Sequence, residues 1–388
     1  MTFYNHYGEV MFKKYILLTV LLSGYCVFCY GQIDANKKDK QQVELKRPQT
    51  PVKPYPYKEE EITFENKQAN ITLGGTFTYP EAGNSFPAII LVHGSGSIDR
   101  NGTMLGHKPF LIISDYLTRN GFAVLRYDKR GIGKSQGARG ATTGELSTDA
   151  IAAFEYLKTR KEVNKNKIGM IGHSEGGAIA PMCAVKLKDL AFIVLLAAPG
   201  KQGKDVLLGQ LEAFARANGE TEEGIQKILN FNKPLLDMMA NTDDSIQTCL
   251  KLYETIEKDI ASKSEEEKKR PEFQKDAVDA NVNGLMRPAY RYWVKLDSRK
   301  NLEKVQIPVL ALTGEKDLWV NPKINLPEIE KSLRKAGNKK YKTMELPGLN
   351  HLFQHANKGT LEEVKEIEET MSPQVLTIIK DWIQEILS

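Results

Sequence analysis

Six short apolar runs, "PAIILVH", "FAVLRYD", "KIGMIG", "LAFIVLLAAPG", "IPVLALTG" and "YKTMELPG", punctuate this chain and are separated by segments of helix length or longer. A strand that is apolar at every position, rather than at alternate ones, must be buried on both faces. Such strands alternating with helices predict a mostly parallel sheet covered by helices on both sides. Ahead of them, "EITFEN" and "ITLGGTFTYP" alternate polar and apolar residues as a pair of antiparallel strands does. From about 200 to 298 there is no strand signal, only helical periodicity, as in "GIQKILNFNKPLLDMM" and "IQTCLKLYETIEKDI". This segment reads as a helical cap inserted between two strands.

The first residues obey a different rule. After Lys13 and Lys14 comes "YILLTVLLSGYCVFCYG", an apolar stretch of signal-peptide length that ends in the small residue Gly31. The expectation is a signal peptide over residues 1–31, with Met11 as an alternative start and an uncleaved membrane anchor as the competing reading. Residues 32–58 are basic and proline-punctuated, which predicts a solvated linker. The folded domain is then expected over 59–388. Of the four cysteines, Cys26 and Cys29 fall in the signal segment. Cys183 and Cys249 lie in apolar, helix-like contexts that favour buried thiols over a bridge. A formal net charge of +5 spread along 388 residues gives no footprint for nucleic acid.

Chemistry concentrates at "IGMIGHSEGGAIA". Gly172-His173-Ser174-Glu175-Gly176 matches G-x-S-x-G, directly after an apolar strand and directly before a helix. That strand-to-helix context lifts Ser174 above the sheet beside a helix N-terminus, as a nucleophile requires. A serine hydroxyl needs a base and an acid that orients the base. In the order Ser…Asp/Glu…His both lie downstream, at the ends of later strands. Asp317 follows "IPVLALTG" and His351 follows "YKTMELPG"; Glu315 and His355 are their rivals.

Acyl transfer also needs donors for the oxyanion. The glycine-rich turn His93-Gly94-Ser95-Gly96-Ser97 offers the Ser95 N–H, and Glu175, next to the nucleophile, offers a second. Two other patterns fail. Gly133-Lys134-Ser135 resembles the end of a phosphate-binding loop, but Asp128 stands where that loop needs glycine. His351 and His355 have the spacing of a helical zinc pair, but Leu352 occupies the glutamate position. Asp128 and Arg130 read instead as a structural turn beside the site.

With these residues in place, the chain from about Glu61 onward resembles the α/β-hydrolase superfamily. "LVHGSGSIDRNG", "YDKRGIGKS", "GHSEGG", "GEKDLWV" and "LPGLNHLFQ" are similar to exported bacterial serine esterases near the dienelactone hydrolase and acyl-thioesterase branches. The resemblance implies an α/β-hydrolase fold and attack by Ser174 on an acyl carbonyl. It further implies His351 as base, Asp317 as orienting acid, and the N–H groups of Ser95 and Glu175 as oxyanion donors. It implies no organic cofactor and no metal.

The expectation is therefore a periplasmic or secreted carboxylesterase-like hydrolase acting on a small-molecule ester, with no nucleic-acid partner and no stable membrane insertion once the signal is cleaved. A peptidase or a thioesterase on the same fold, and a non-catalytic binding module, are the alternatives. Neither the natural substrate nor the oligomeric state is legible. Arg287 to Val294, "RPAYRYWV", is the part of the cap expected either to reach an acyl pocket or to fasten the cap.

Overall fold

The computed structural model describes residues 46–388. The expected signal peptide, the alternative start at Met11 and linker residues 32–45 lie outside the described residues. The chain divides into two compact units. One comprises Asp297–Ser388 with the described part of Gly31–Lys201, and the other is Gln202–Leu296.

The first unit is built on eight strands: β1 (Tyr57–Asn66), β2 (Ile71–Pro80), β3 (Phe86–Val92), β4 (Ala123–Tyr127), β5 (Val163–His173), β6 (Phe192–Leu196), β7 (Val309–Gly314) and β8 (Tyr341–Leu346). They form one sheet in the order β1-β2-β4-β3-β5-β6-β7-β8. β1 pairs with β2, and β2 with β4, antiparallel. All the remaining neighbours are parallel. This is the α/β-hydrolase architecture, and it brings the carboxyl ends of β3 to β8 to one edge of the sheet.

Successive strand residues point to opposite faces, and here each face has its own apolar core. Ala88, Ile90 and Val92 of β3, Ile193 and Leu195 of β6, and Val309 and Ala311 of β7 enter one core. Ile89, Leu91, Phe192, Val194, Leu196, Leu310 and Leu312 enter the other. Along β3, β6 and β7 both faces are largely dry, so these strands carry no polar alternation. Helices α1 (Pro109–Arg119), α2 (Thr143–Thr159) and α3 (Glu175–Lys186) supply part of the cover. α2 starts in a capping box in which Thr142 and Glu145 satisfy each other's backbone N–H groups.

The second unit is helical throughout: α4 (Gly203–Ala217), α5 (Glu222–Asn241), α6 (Ser245–Ala261), α7 (Lys275–Leu285) and α8 (Pro288–Lys295), with short turns between them. Its own core includes Leu207, Leu236, Leu252, Val282 and Tyr290. Tyr290 and Val294 of the "RPAYRYWV" stretch are buried in that core. The chain then returns to the sheet unit, where α9 (Pro322–Lys335) and α10 (Pro373–Leu387) complete the cover. Val375, Ile379 and Ile383, one turn apart along α10, enter the same core as Phe192. Among the described residues no helix is long and apolar enough to cross a membrane.

One boundary differs from the sequence reading. Residues 46–58, expected to be solvated linker, are fastened to the sheet unit. The Arg47 guanidinium donates to the carbonyls of Ile367 (2.8 Å), Lys365 (3.0 Å) and Leu105 (3.1 Å). The Gln49 side chain donates to Met371 O and accepts from the Thr370 and Met371 N–H groups. β1 begins at Tyr57, two residues before the boundary expected at 59. Order at Arg47 and Gln49 comes from hydrogen bonds to distant backbone groups, and at Tyr57 from burial of its ring. Cys183, buried, and Cys249, half-buried, are both free thiols.

Candidate active site

The turn between β5 and α3 is shaped by crowding. Ser174 sits between them at φ 55°, ψ −116°, in the left-handed half of backbone space. A conformation of this kind costs on the order of 1–3 kcal/mol and persists only where the surroundings impose it. The surroundings do impose it. A Cβ on Gly172 would lie 2.1 Å from Gly176 O, and one on Gly176 would lie 2.1 Å from Val92 O. The Ser174 N–H is held by Leu196 O at 2.9 Å. The glycines thus allow the strand, the turn and the helix start to pass at backbone distance, leaving the serine at the crest.

Beside it lies the turn after β3. A Cβ on Gly94 would stand 3.1 Å from Ser174 Cβ and 3.4 Å from His173 O, so this turn abuts the serine. Ser95 follows directly and is half-buried.

The turns after β7 and β8 are locked together. Lys316 N–H donates to Leu349 O (2.8 Å), Glu315 N–H to Leu346 O (2.9 Å), and Gly348 N–H to the Glu315 carboxylate (2.9 Å). Asp317 Oδ1 accepts the N–H groups of Trp319 and Val320, each at 2.8 Å, and Oδ2 lies 2.8 Å from His351 Nδ1. An ionised carboxylate only accepts, so Nδ1 carries a proton, and in the neutral ring Nε2 presents a lone pair. Nε2 is buried and has no partner among the described residues.

The His351 ring is held on two sides. Trp319 stacks on it at 5.2 Å between centroids, and His173 lies tilted at 4.7 Å. His173 Nε2 is 2.9 Å from His351 O, which ties the base loop to the residue preceding Ser174. Burial, reinforced by the neighbouring His351, pushes the His173 pKa down to about 3. His173 is therefore neutral and donates through Nε2–H.

The two rivals are placed elsewhere. Glu315 is exposed and serves as the staple to Gly348 described above. His355 is exposed and pairs with Glu369 at 2.9 Å. Ser174, Asp317, His351, Ser95 and Glu175 all follow strands at the carboxyl edge of the sheet, where Asp317 and His351 are hydrogen-bonded and the His173–His351 contact links them to the serine turn. His351 Nε2 makes no hydrogen bond to Ser174, and Glu315 and His355 have other partners. Asp128 is structural: Arg100 grips it through Nε (3.1 Å) and Nη2 (2.7 Å), and it accepts the Lys134 N–H at 3.0 Å. Arg130 is likewise paired with Asp149.

Sequence reasoning missed Lys129, Thr143 and Trp319. Glu175 is buried, and its carboxylate takes Thr143 Oγ1 at 2.7 Å and Lys129 Nζ at 3.1 Å. Lys129 Nζ also donates to Gly94 O at 2.8 Å.

An eight-stranded, mostly parallel sheet with this turn after β5 and a carboxylate–imidazole pair after β7 and β8 defines an α/β-hydrolase. The family described as serine aminopeptidase, S33 matches residues 107–355, and the chain belongs to it. The match includes Ser174, Asp317 and His351, and starts after the His93–Ser97 turn. The chain is 34% identical over 152 residues to esterase EstD of Thermotoga maritima, covering 39% of this chain and 36% of that one. It is 25% identical over 246 residues to an acyl transferase of Shewanella hanedai, covering 62% of each. The chain thus spans only part of the length of these curated relatives. An esterase of Pyrococcus furiosus has the same fold, with a TM-score of 0.52 at 14% identity over 90% of this chain and all of that one.

Proposed function

We propose that this chain is a serine hydrolase that cleaves carboxylic esters of small to medium acyl chains. The observation that carries the reading is the buried Asp317–His351 pair, with an unpartnered Nε2, tied through His173 to the strained Ser174 turn. The likeness to an esterase supports it. In this reading His351 Nε2 takes the Ser174 hydroxyl proton as Oγ attacks the acyl carbon, and the Ser95 and Glu175 N–H groups hold the resulting oxyanion. Collapse breaks the ester C–O bond, and His351 gives its proton to the departing alcohol. A water molecule then attacks the acyl-enzyme, again losing its proton to His351, and the acid leaves as Ser174 recovers its proton. Asp317 keeps the imidazole in the required tautomer throughout. The apolar segment before Gln32 supports a periplasmic or secreted setting.

A second reading, a peptidase, is favoured by the family's description as serine aminopeptidase. The experiment that separates the two is hydrolysis of p-nitrophenyl esters from acetate to long acyl chains, beside amino-acid p-nitroanilides, with a Ser174→Ala control. Ester turnover abolished in the variant is the expected result. Turnover confined to the anilides would establish the peptidase. No turnover of either set, with no labelling of Ser174 by a fluorophosphonate, would point to a binding role.

A further inference from the structure

A glycine-rich oxyanion turn has an intrinsic weakness. The peptide between Gly94 and Ser95 has a glycine on one side, so the Gly94 ψ is little restricted by sterics, and Gly96, at φ 97°, already uses the space open to glycine. Turning that peptide over is opposed only by the φ preference of Ser95, and it would direct the Ser95 N–H away from the acyl oxygen. A contact from outside the turn adds to that preference and fixes the orientation. The structure supplies one. We propose that Lys129, which no part of the esterase chemistry otherwise uses, is the positioning residue of the oxyanion site; the inference rests on the serine hydrolase reading above.

The lysine is itself well placed to act as a clamp. It follows β4, the neighbour of β3 in the sheet. Its backbone is fixed by Lys129 N–H to Ile98 O at 3.3 Å. Just before it, Asp128 N–H bonds Gly74 O at 2.8 Å, and the Ser135 hydroxyl bonds Asp128 O at 2.6 Å. The side chain is 11% exposed and its partner Glu175 6%. From there Nζ donates to Gly94 O at 2.8 Å and to Glu175 Oε2 at 3.1 Å.

Both contacts bear on the oxyanion. In a planar trans peptide the C=O and the following N–H point in opposite directions. Holding Gly94 O toward Lys129 therefore turns the Ser95 N–H away from it, in a turn whose Gly94 abuts Ser174. The second contact concerns charge. Glu175 carries the other donor N–H, and its buried carboxylate is a negative charge one side chain away from where an alkoxide forms. Lys129 balances that charge, while Thr143 satisfies the remaining carboxylate oxygen. One ammonium group thus orients the first donor and neutralises the residue that bears the second.

The test compares the full-length wild type with Lys129→Met, Lys129→Arg and the double variant Lys129→Met/Glu175→Gln, which removes both buried charges together. The readouts are kcat and KM on p-nitrophenyl acetate, affinity for a trifluoromethyl ketone that forms an oxyanion adduct, and the melting temperature. Lys129→Met is expected to lower kcat by about 10- to 100-fold with KM within about threefold, and to weaken the ketone by a matching factor. Lys129→Arg, which keeps the charge and the donors, is expected to recover most of kcat. The double variant is expected to melt near the wild type and still show the kcat loss. Wild-type kcat in the folded double variant would overturn the inference, as would a loss carried by KM with ketone affinity unchanged. A wild type with no Ser174-dependent ester turnover overturns the underlying reading, and shows itself before any lysine variant is compared.

Discussion

His351 Nδ1 stands 2.8 Å from Asp317 Oδ2 while the other oxygen of the same carboxylate is occupied by two backbone N–H groups, those of Trp319 and Val320. The acid is thereby oriented twice, once by its own turn and once by the imidazole it serves. An amide in its place would present an NH₂ to one of these sites and disturb the tautomer. Asp317→Asn is therefore expected to lower kcat on p-nitrophenyl acetate by about 10⁴-fold with little change in KM. Glu315→Gln should stay within about threefold, because Glu315 only staples Gly348. Equal losses in the two variants would remove Asp317 from its role.

The turn that carries Ser174 is held by contact rather than by flexibility, so its glycines should be intolerant. Gly176→Ala puts a methyl 2.1 Å from Val92 O, and Gly172→Ala puts one 2.1 Å from Gly176 O; in both cases the obstacle is backbone. Each is expected to destabilise the fold by several kcal/mol, on the order of 3 or more, or to prevent soluble expression. Gly121→Ala is the control, since nothing lies within 4 Å of its Cβ and only the positive φ is penalised. Its cost should be about 1 kcal/mol. Thermal melting of the three variants decides, and a Gly176→Ala protein as stable as Gly121→Ala would contradict the crowding argument.

Legibility in the amino-acid sequence follows the range of the interaction. The central strands are legible because both of their faces are dry, so Ile89 and Ile90 are equally apolar although they enter different cores. Ser174, Asp317 and His351 are legible because each closely follows an apolar run. Lys129 is not. Its partners Gly94 and Glu175 come from other strand ends, and a lysine among 54 basic residues carries no signature of its own. The Arg47 and Gln49 contacts are hidden for a similar reason: they end on backbone groups, which have no side-chain pattern to read.

The two free thiols of the folded part differ in access and should differ in reactivity. Burial pushes the Cys183 thiol up to about 12, and its Sγ faces Ser147 O inside the sheet unit. Cys249 is half-buried on a helix of the second unit. Thiolate, not thiol, is the nucleophile. Iodoacetamide under native conditions at about pH 8, read by peptide mass mapping, should therefore modify Cys249 and spare Cys183, with both labelled in denaturant. Native labelling of Cys183 at the rate of Cys249 would show that the sheet unit opens there.

Acid sensitivity follows from three histidines that the fold keeps neutral. Burial lowers the pKa of His93 to about 3, with the Lys129 charge adding to the effect. Burial lowers His173 to about 3 and His107 to about 4. The unfolded chain binds protons at all three as pH drops through about 6.5, whereas the folded chain refuses them until about 4 or below. Protons bound therefore favour the unfolded state, and stability rises with pH across that window and is level above it. Each group contributes up to about 1.4 kcal/mol per pH unit, so the three together give a slope of at most about 4. Glu61, held near 2 against the opposing effect of burial by hydrogen bonds from Thr76, Lys134 and Arg100, adds loss of the same sign only below about 4.5. The melting temperature should be flat from about pH 8 to 7 and fall steeply from about 6 to 4. In His107→Gln the fall should be shallower by about a third, since one of the three refused protons is gone. A melting temperature unchanged between about pH 7 and 5 would mean that these rings gain protons without unfolding, and that the buried rings are more accessible to water than their packing implies.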